Sequence, residues 1–214
     1  MRIITGSARG TRLTTLDSDA TRPTAEKVKE AIFSMIQFDI EGRRVLDLFG
    51  GSGQLALEAL SRGAAKATII DESRDAVNVI IDNAKHAKLY DRCRIAAASY
   101  DTYLRGFSDT DRFNIVFLDP PYASDMMPGA LKIISERNIC APGALIVCET
   151  DTVPSKKKRL ERRDSELLAG AVLHDVFSDD AELQGRFTVI KSNVHGRTRI
   201  TLLSLAEGTA EASV

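Results

Sequence analysis

"VLDLFGGSGQLALEAL", residues 45–60, is the stretch on which the reading of this chain turns. Residues 45–49 form a short apolar run of the kind a buried strand needs, and glycines at 50, 51 and 53 end it just before a helical pattern begins. A glycine-rich turn therefore joins a strand to a helix, where backbone N–H groups and the helix amino terminus can approach a polar ligand closely. Gly51, Gly53 and Ala56 satisfy the G-x-G-x-x-A spacing of a nucleotide-binding turn, and Asp71 follows 24 positions after Asp47, at the end of the next apolar run. A carboxylate in that place can take both hydroxyls of a ribose. On spacing alone, a nicotinamide dinucleotide and S-adenosylmethionine fit almost equally well. Charge separates them: Asp47, at the mouth of the turn, would repel a pyrophosphate but attract the ammonium and sulfonium groups of S-adenosylmethionine.

Working outward, "RVLDLF", "ATIID", "RIAAA", "NIVFLD" and "ALIVCE" are strand candidates that alternate with helical patterns between about residues 44 and 149. That alternation predicts a parallel sheet covered by helices on both faces. One helix is predicted by Val77, Ile80, Ile81 and Ala84 at i, i+3, i+4 and i+7, with Ser73 as its cap, and "RGA" at 62–64 supplies a glycine stop to the helix before it. Another is predicted over "TRPTAEKVKEAIFSMI", with Thr24 as cap and Val28, Ala31, Ile32, Met35 and Ile36 as its apolar stripe. The glycine- and arginine-rich first 20 residues suggest a hairpin extension or a mobile arm. "FTVIKSN" and "RTRITLLSL", on either side of His195 and Gly196, predict an antiparallel hairpin that closes the sheet edge.

Composition sets the outer bounds. At 214 residues and 43% hydrophobic content the chain can bury one core, giving one domain or a domain with a small appendage. A net charge of −1 hides local excess: Arg2, Arg9 and Arg12 have no acid among them, and "KKKRLERR" at 156–163 sets six basic residues against Glu161. Cys93, Cys140 and Cys148 have neither zinc-type spacing nor an even count, which predicts reduced thiols in a cytoplasmic protein. No apolar run approaches the ~20 residues of a membrane helix. His86, His174 and His195 are scattered, and none is assigned to catalysis.

"NIVFLDPPYAS", residues 114–124, carries the chemistry. Its apolar run ends in a carboxylate, two prolines and a tyrosine, which can neither continue a sheet nor start a helix cheaply. In an open α/β sheet ligands bind beyond the carboxyl ends of the strands, near the point where strand order reverses. A turn stiffened by Pro120 and Pro121 makes the Asp119 carboxylate and the Pro120 carbonyl pre-aimed acceptors, suited to an NH₂ group. Tyr122 offers a face for a planar base.

"DPPY" resembles the [DN]PP[YF] motif of methyltransferases that act on exocyclic nitrogens, and "DLFGGSG" resembles their cofactor loop. Taken in order, "RIITGSARG", "RPTAEKVKEAIF", "VLDLFGGSGQLALEALSRGA", "FLDPPY" and "FTVIKSNVHGRTRITLL" resemble the RsmD-type guanine-N2 methyltransferases of bacterial small-subunit (16S) ribosomal RNA over nearly the whole chain. The resemblance implies an α/β, Rossmann-like class I methyltransferase with a seven-stranded, mostly parallel sheet, a carboxy-terminal antiparallel hairpin and a small amino-terminal hairpin. The implied division is an arm at 1–20, a methyltransferase domain at 21–206 and a disordered tail at 207–214. Asp47, Gly51 and Gly53 would line the methionine part of S-adenosylmethionine, Asp71 would hold its ribose, Ser99 would lie by the adenine, and Arg22 and Thr24 would close the methionine end. Asp119, Pro120 and Tyr122 would hold the guanine as the catalytic set, with Pro121 and the arm's Arg2, Arg9 and Arg12 on the RNA. Three positions depart from the family pattern: Gly50 for alanine, Glu26 for aspartate and Ser99 for an aspartate or asparagine. The expected partner is small-subunit ribosomal RNA or an assembling 30S particle, bound by a monomer with no metal and no membrane. DNA adenine-N6 and protein glutamine-N5 methylation remain alternatives, because both use similar loops.

Overall fold

In this computed structural model, residues 1–16, 23–108, 112–121, 125–152, 176–178 and 180–206 are described. Seven strands form one sheet: β1 (Arg44–Asp47), β2 (Lys66–Asp71), β3 (Cys93–Ala97), β4 (Phe113–Leu118), β5 (Cys140–Asp151), β6 (Phe187–His195) and β7 (Thr198–Leu205). Their order is β3-β2-β1-β4-β5-β7-β6. The first five strands pair in parallel, and β7 joins β5 antiparallel and carries β6 as a hairpin edge. Strand order reverses between β1 and β4, so the carboxyl ends of those two strands mark the expected ligand crevice.

The six helices that matter here are α1 (Pro23–Met35), α2 (Gln54–Ser61), α3 (Arg74–His86), α4 (Tyr100–Arg105), α5 (Met126–Glu136) and α6 (Ala181–Gly185). Alternation along the strands divides the apolar residues between two cores. Val45, Ile69, Ile115 and Phe117 pack with Ile32 and Phe33 of α1, Leu57 of α2 and Ile80 of α3. Leu46, Ile70, Val116 and Leu118 pack with Leu104 of α4 and Leu131 and Ile134 of α5 on the opposite face. Both faces being covered, the central strands read as continuous apolar runs. No helix among the described residues is long and apolar enough to cross a membrane.

Two helix details differ from the sequence reading. The first helix begins at Pro23, so Thr24 lies in its first turn rather than at its cap. Proline suits that first position because its missing N–H has no helical partner to lose. Ser73 does cap α3, accepting from the Ala76 N–H at 3.3 Å. However, the buried stripe of α3 is Ala76, Ile80, Asn83 and Ala84, with Val77 and Ile81 only half-buried. The helix is therefore turned so that an amide, not a second apolar pair, faces inward.

Of the two expectations for the amino terminus, the structure shows the hairpin. Arg2 and Arg12 face each other in an antiparallel bridge, and Ile3 N–H donates to the Thr11 carbonyl at 2.9 Å. Its apolar residues Ile3, Ala8 and Leu13 are buried in the core formed with α1, α2 and α3. Glu58 of α2 holds this seam. Its fully buried carboxylate accepts from the backbone N–H groups of Ile4 and Thr5 at 2.7 and 3.0 Å and from Arg62 Nε at 2.8 Å. Lys29 Nζ, also buried, lies 3.8 Å from the same carboxylate and donates to the Arg2 carbonyl at 2.6 Å. Burial lowers the pKa of Lys29, while Glu58 opposes that shift.

Candidate active site at the carboxyl edge of the sheet

The carboxyl end of β1 is where the glycine turn departs. Asp47 ends that strand and is buried, with only 1% of its surface exposed. It stands in register between Ile69 of β2 and Phe117 of β4, so Asp71 and Asp119 each lie two residues further along the strands on either side. Burial raises the Asp47 carboxyl pKa to about 7, against the pull of the Phe49 and Ala56 backbone N–H groups and with a push from the nearby Asp71 charge. Oδ1 of Asp47 has no hydrogen-bond partner among the described residues. A buried carboxylate oxygen left unsatisfied costs free energy until a donor reaches it.

The turn itself is built to admit such a donor. Gly51 has φ +53°, and a Cβ placed there would meet nothing within 4 Å, so the space in front of its backbone is open. Gly50 is the opposite case. Its Cβ would come within 2.6 Å of Ile69 Cγ2 and 2.9 Å of Ile80 Cδ1, which accounts for glycine where the family pattern has alanine. Gly53 then caps α2 in the left-handed region.

Asp71 fastens the far side of the turn. Its Oδ2 accepts from the Gly51 N–H at 2.8 Å and its Oδ1 from the Ser73 N–H at 2.9 Å. Each oxygen retains a second lone pair for a ligand hydroxyl. Ser99 follows β3 at the same edge, but its hydroxyl is engaged as the cap of α4, accepting from the Thr102 N–H at 3.2 Å and bonding Thr102 Oγ1 at 2.9 Å. On the other side of β1, Asp119 is half-buried, Pro120 buried and Pro121 exposed.

The structure thus brings Asp47, Gly51, Gly53, Asp71, Ser99, Asp119, Pro120 and Pro121 to one edge of the sheet. Arg2, Arg9 and Arg12 stand exposed on the amino-terminal hairpin, where Arg2 lies 3.8 Å from Glu26. Arg22, Tyr122, the basic run at 156–163, His174 and the tail at 207–214 lie outside the described residues, as does the side chain of Thr24.

Sequence reasoning overlooked Asn83. It is 2% exposed and donates through Nδ2 to the carbonyls of Ser52 and Thr14 at 2.9 and 2.8 Å, while its Oδ1 accepts from the Thr14 N–H at 2.8 Å. One side chain therefore ties the glycine turn to the segment that leads into α1. An amide within an otherwise apolar helical stripe was the available signal. Phe49 was also overlooked; its ring packs against Tyr100 of α4 at 5.7 Å, at the edge of the crevice.

The family model described as "Conserved hypothetical protein 95" matches residues 1–167. The chain is 35% identical over 152 residues to the ribosomal RNA small subunit methyltransferase D of Haemophilus influenzae, covering 71% of this chain and 79% of that protein. It is 33% identical over 188 residues to the protein of the same name from Escherichia coli, covering 85% and 91%. The chain belongs to the RsmD-type methyltransferase family. Among solved structures, the yhhF protein of Escherichia coli superposes with a TM-score of 0.73 at 26% identity, covering 96% of this chain and 97% of that one. The RsmD-type chain therefore has the class I methyltransferase fold, hairpin included.

Proposed function

We propose that this RsmD-type chain transfers a methyl group from S-adenosylmethionine to the exocyclic 2-amino nitrogen of a guanine in small-subunit ribosomal RNA. The observation that carries the reading is the buried, unpartnered Oδ1 of Asp47 beside the open face of Gly51, with the Asp119-Pro120 acceptor pair on the adjoining strand end. The family's named relatives support ribosomal RNA as the substrate class.

The residues present fit the cofactor. Asp47 and the N–H groups of the glycine turn suit a zwitterionic methionine end, and the free lone pairs of Asp71 suit a ribose. When bound, S-adenosylmethionine supplies an electrophilic methyl group. The protein's work is then alignment. The 2-amino lone pair of guanine is delocalised into the ring, and acceptors for its two protons favour a pyramidal nitrogen as positive charge develops there. The Asp119 carboxylate and Pro120 carbonyl are assigned that role, with Tyr122 stacking on the base. A base paired within a helix could not reach such acceptors, so the target is unpaired or flipped. The hairpin cations Arg2, Arg9 and Arg12 are assigned to RNA phosphates.

The test offers labelled S-adenosylmethionine with unmodified small-subunit RNA, assembled subunits, DNA and protein extract, followed by mapping of the label. Label on guanine N2 is the expected result; label on adenine N6 or glutamine would overturn the choice of acceptor. Under single-turnover conditions, Asp119→Ala is expected to lower kcat by a factor on the order of 10²–10³ with cofactor affinity unchanged. Near-parental turnover would remove Asp119 from the amine.

A further inference from the structure

The opposite edge of the sheet, where β1, β2 and β3 begin, carries a strip that the reaction does not use. Three segments form it: residues 37–43 ahead of β1, the turn at 62–66 after α2, and residues 85–94 around the end of α3. They are joined into one surface. Gly42 N–H donates to the Gly63 carbonyl at 2.9 Å, Ala65 N–H to the Arg43 carbonyl at 2.8 Å, and an Arg92 guanidinium nitrogen to the Ala64 carbonyl at 3.0 Å. Arg62 is taken up by Glu58 and Arg92 by the Ala64 carbonyl, which leaves Arg43, Lys66, Lys85, Lys88 and Arg94 exposed against the exposed acids Asp39, Glu41 and Asp91, so the strip is mixed in sign with a modest basic balance.

Two aromatic rings stand on it. Phe38 is 92% exposed and Tyr90 is 42% exposed, and Lys85 Nζ lies 5.4 Å from the Tyr90 ring centroid. They are the exposed large aromatic side chains among the described residues. Lys85, in the last turn of α3, has a local reason to be cationic in the helix dipole. Arg43 and Lys66 do not lie in helices, and Phe38 has no packing role at that exposure. Cations interleaved with exposed rings are what an unpaired nucleic-acid strand requires, phosphates on the charges and bases on the faces.

We infer that this edge is a second RNA contact, gripping an unpaired strand of the same ribosomal RNA at a distance from the modified base. The inference rests on the proposed function. β2 alone, at six residues, separates the two edges by roughly 20 Å. Only an RNA that extends well past its target nucleotide reaches both ends, so the strip selects large folded substrates over small fragments.

The test combines Phe38→Ala, Arg43→Gln and Lys66→Gln, all exposed and remote from the crevice, and uses full-length small-subunit RNA over a salt series. Affinity is expected to fall, with the lost stack alone accounting for a factor on the order of 5–150. The slope of log affinity against log salt is expected to shrink by about 0.7–0.9 for each lost phosphate contact. Single-turnover methyl transfer at saturating RNA is expected to match the parent. An unchanged affinity and slope, with the parent methylating the RNA normally, would overturn the second contact alone. A loss seen only with assembled subunits would assign the strip to ribosomal protein and overturn the RNA reading. Failure of the parent itself to bind or methylate any RNA would overturn the proposed function and the second contact together.

Discussion

Glu58 and Asp47 are two buried carboxylates at opposite ends of the sheet's first βα unit, and their surroundings have opposite designs. Glu58 accepts two backbone N–H bonds and an arginine bond, with a buried lysine beside it. Asp47 keeps an oxygen with no partner, and burial raises its pKa to about 7. A buried charge can be tolerated either by satisfying it within the fold or by leaving it short of a donor that arrives later. The first arrangement builds a seam; the second is the one the proposed cofactor site requires.

The largest expected effect is at the seam. Glu58→Gln leaves Lys29 buried without its anionic partner, and urea denaturation should show a loss of about 3–5 kcal/mol. A double variant with Lys29→Met should recover much of it. A loss below about 1 kcal/mol in the single variant would mean that the hairpin docks by apolar contacts alone and would dissolve the contrast with Asp47.

Asp47 should show itself through pH. Its folded pKa lies above the ordinary 3.8, so the proton it holds contributes stability that is fully present below about pH 4 and lost as pH rises through about 7. Between about pH 5 and pH 8 that amounts to roughly 2–3 kcal/mol, at about 1.36 kcal/mol per pH unit. Asp47→Asn should flatten this slope in the apoprotein. Saturating S-adenosylmethionine should flatten it in the parent, because a cationic partner draws the carboxyl pKa back down. A parent slope that is insensitive to cofactor would place the cation elsewhere.

The smallest effect is expected at Asp71. Asp71→Ala should weaken cofactor binding by about 1–3 kcal/mol, read by calorimetry, since it removes the proposed ribose acceptor and releases the Gly51 N–H. An unchanged dissociation constant would leave Asp71 as a brace of the turn.

The sheet and the crevice were legible because their signals are local. Five apolar runs, the glycine spacing and the break at Asp119 each declare themselves within about ten residues. The seam was not legible for the converse reason. Glu58 in "LALEAL" reads as the polar face of a helix, and only partners 53 and 54 residues away explain its burial. Ile3, Ala8 and Leu13 cannot make a core of their own, and the sequence does not reveal that α1, α2 and α3 lend them one. The place of Ser99 after β3 was legible, whereas the use of its hydroxyl as the cap of α4 was not.

The double hold of Asn83 on Thr14 and Ser52 also has a consequence for the order of folding. Thr14 is synthesised 69 residues before Asn83. At about 5–20 residues per second, Thr14 waits roughly 3–14 s before Asn83 exists. The amino-terminal segment's contacts with residues 52–61 must wait for α2, a delay comparable to the 70 residues that separate Val45 of β1 from Ile115 of β4. Until then Ile3, Ala8 and Leu13 are without the helices that bury them, so this stretch stays exposed apolar surface while the chain is being made.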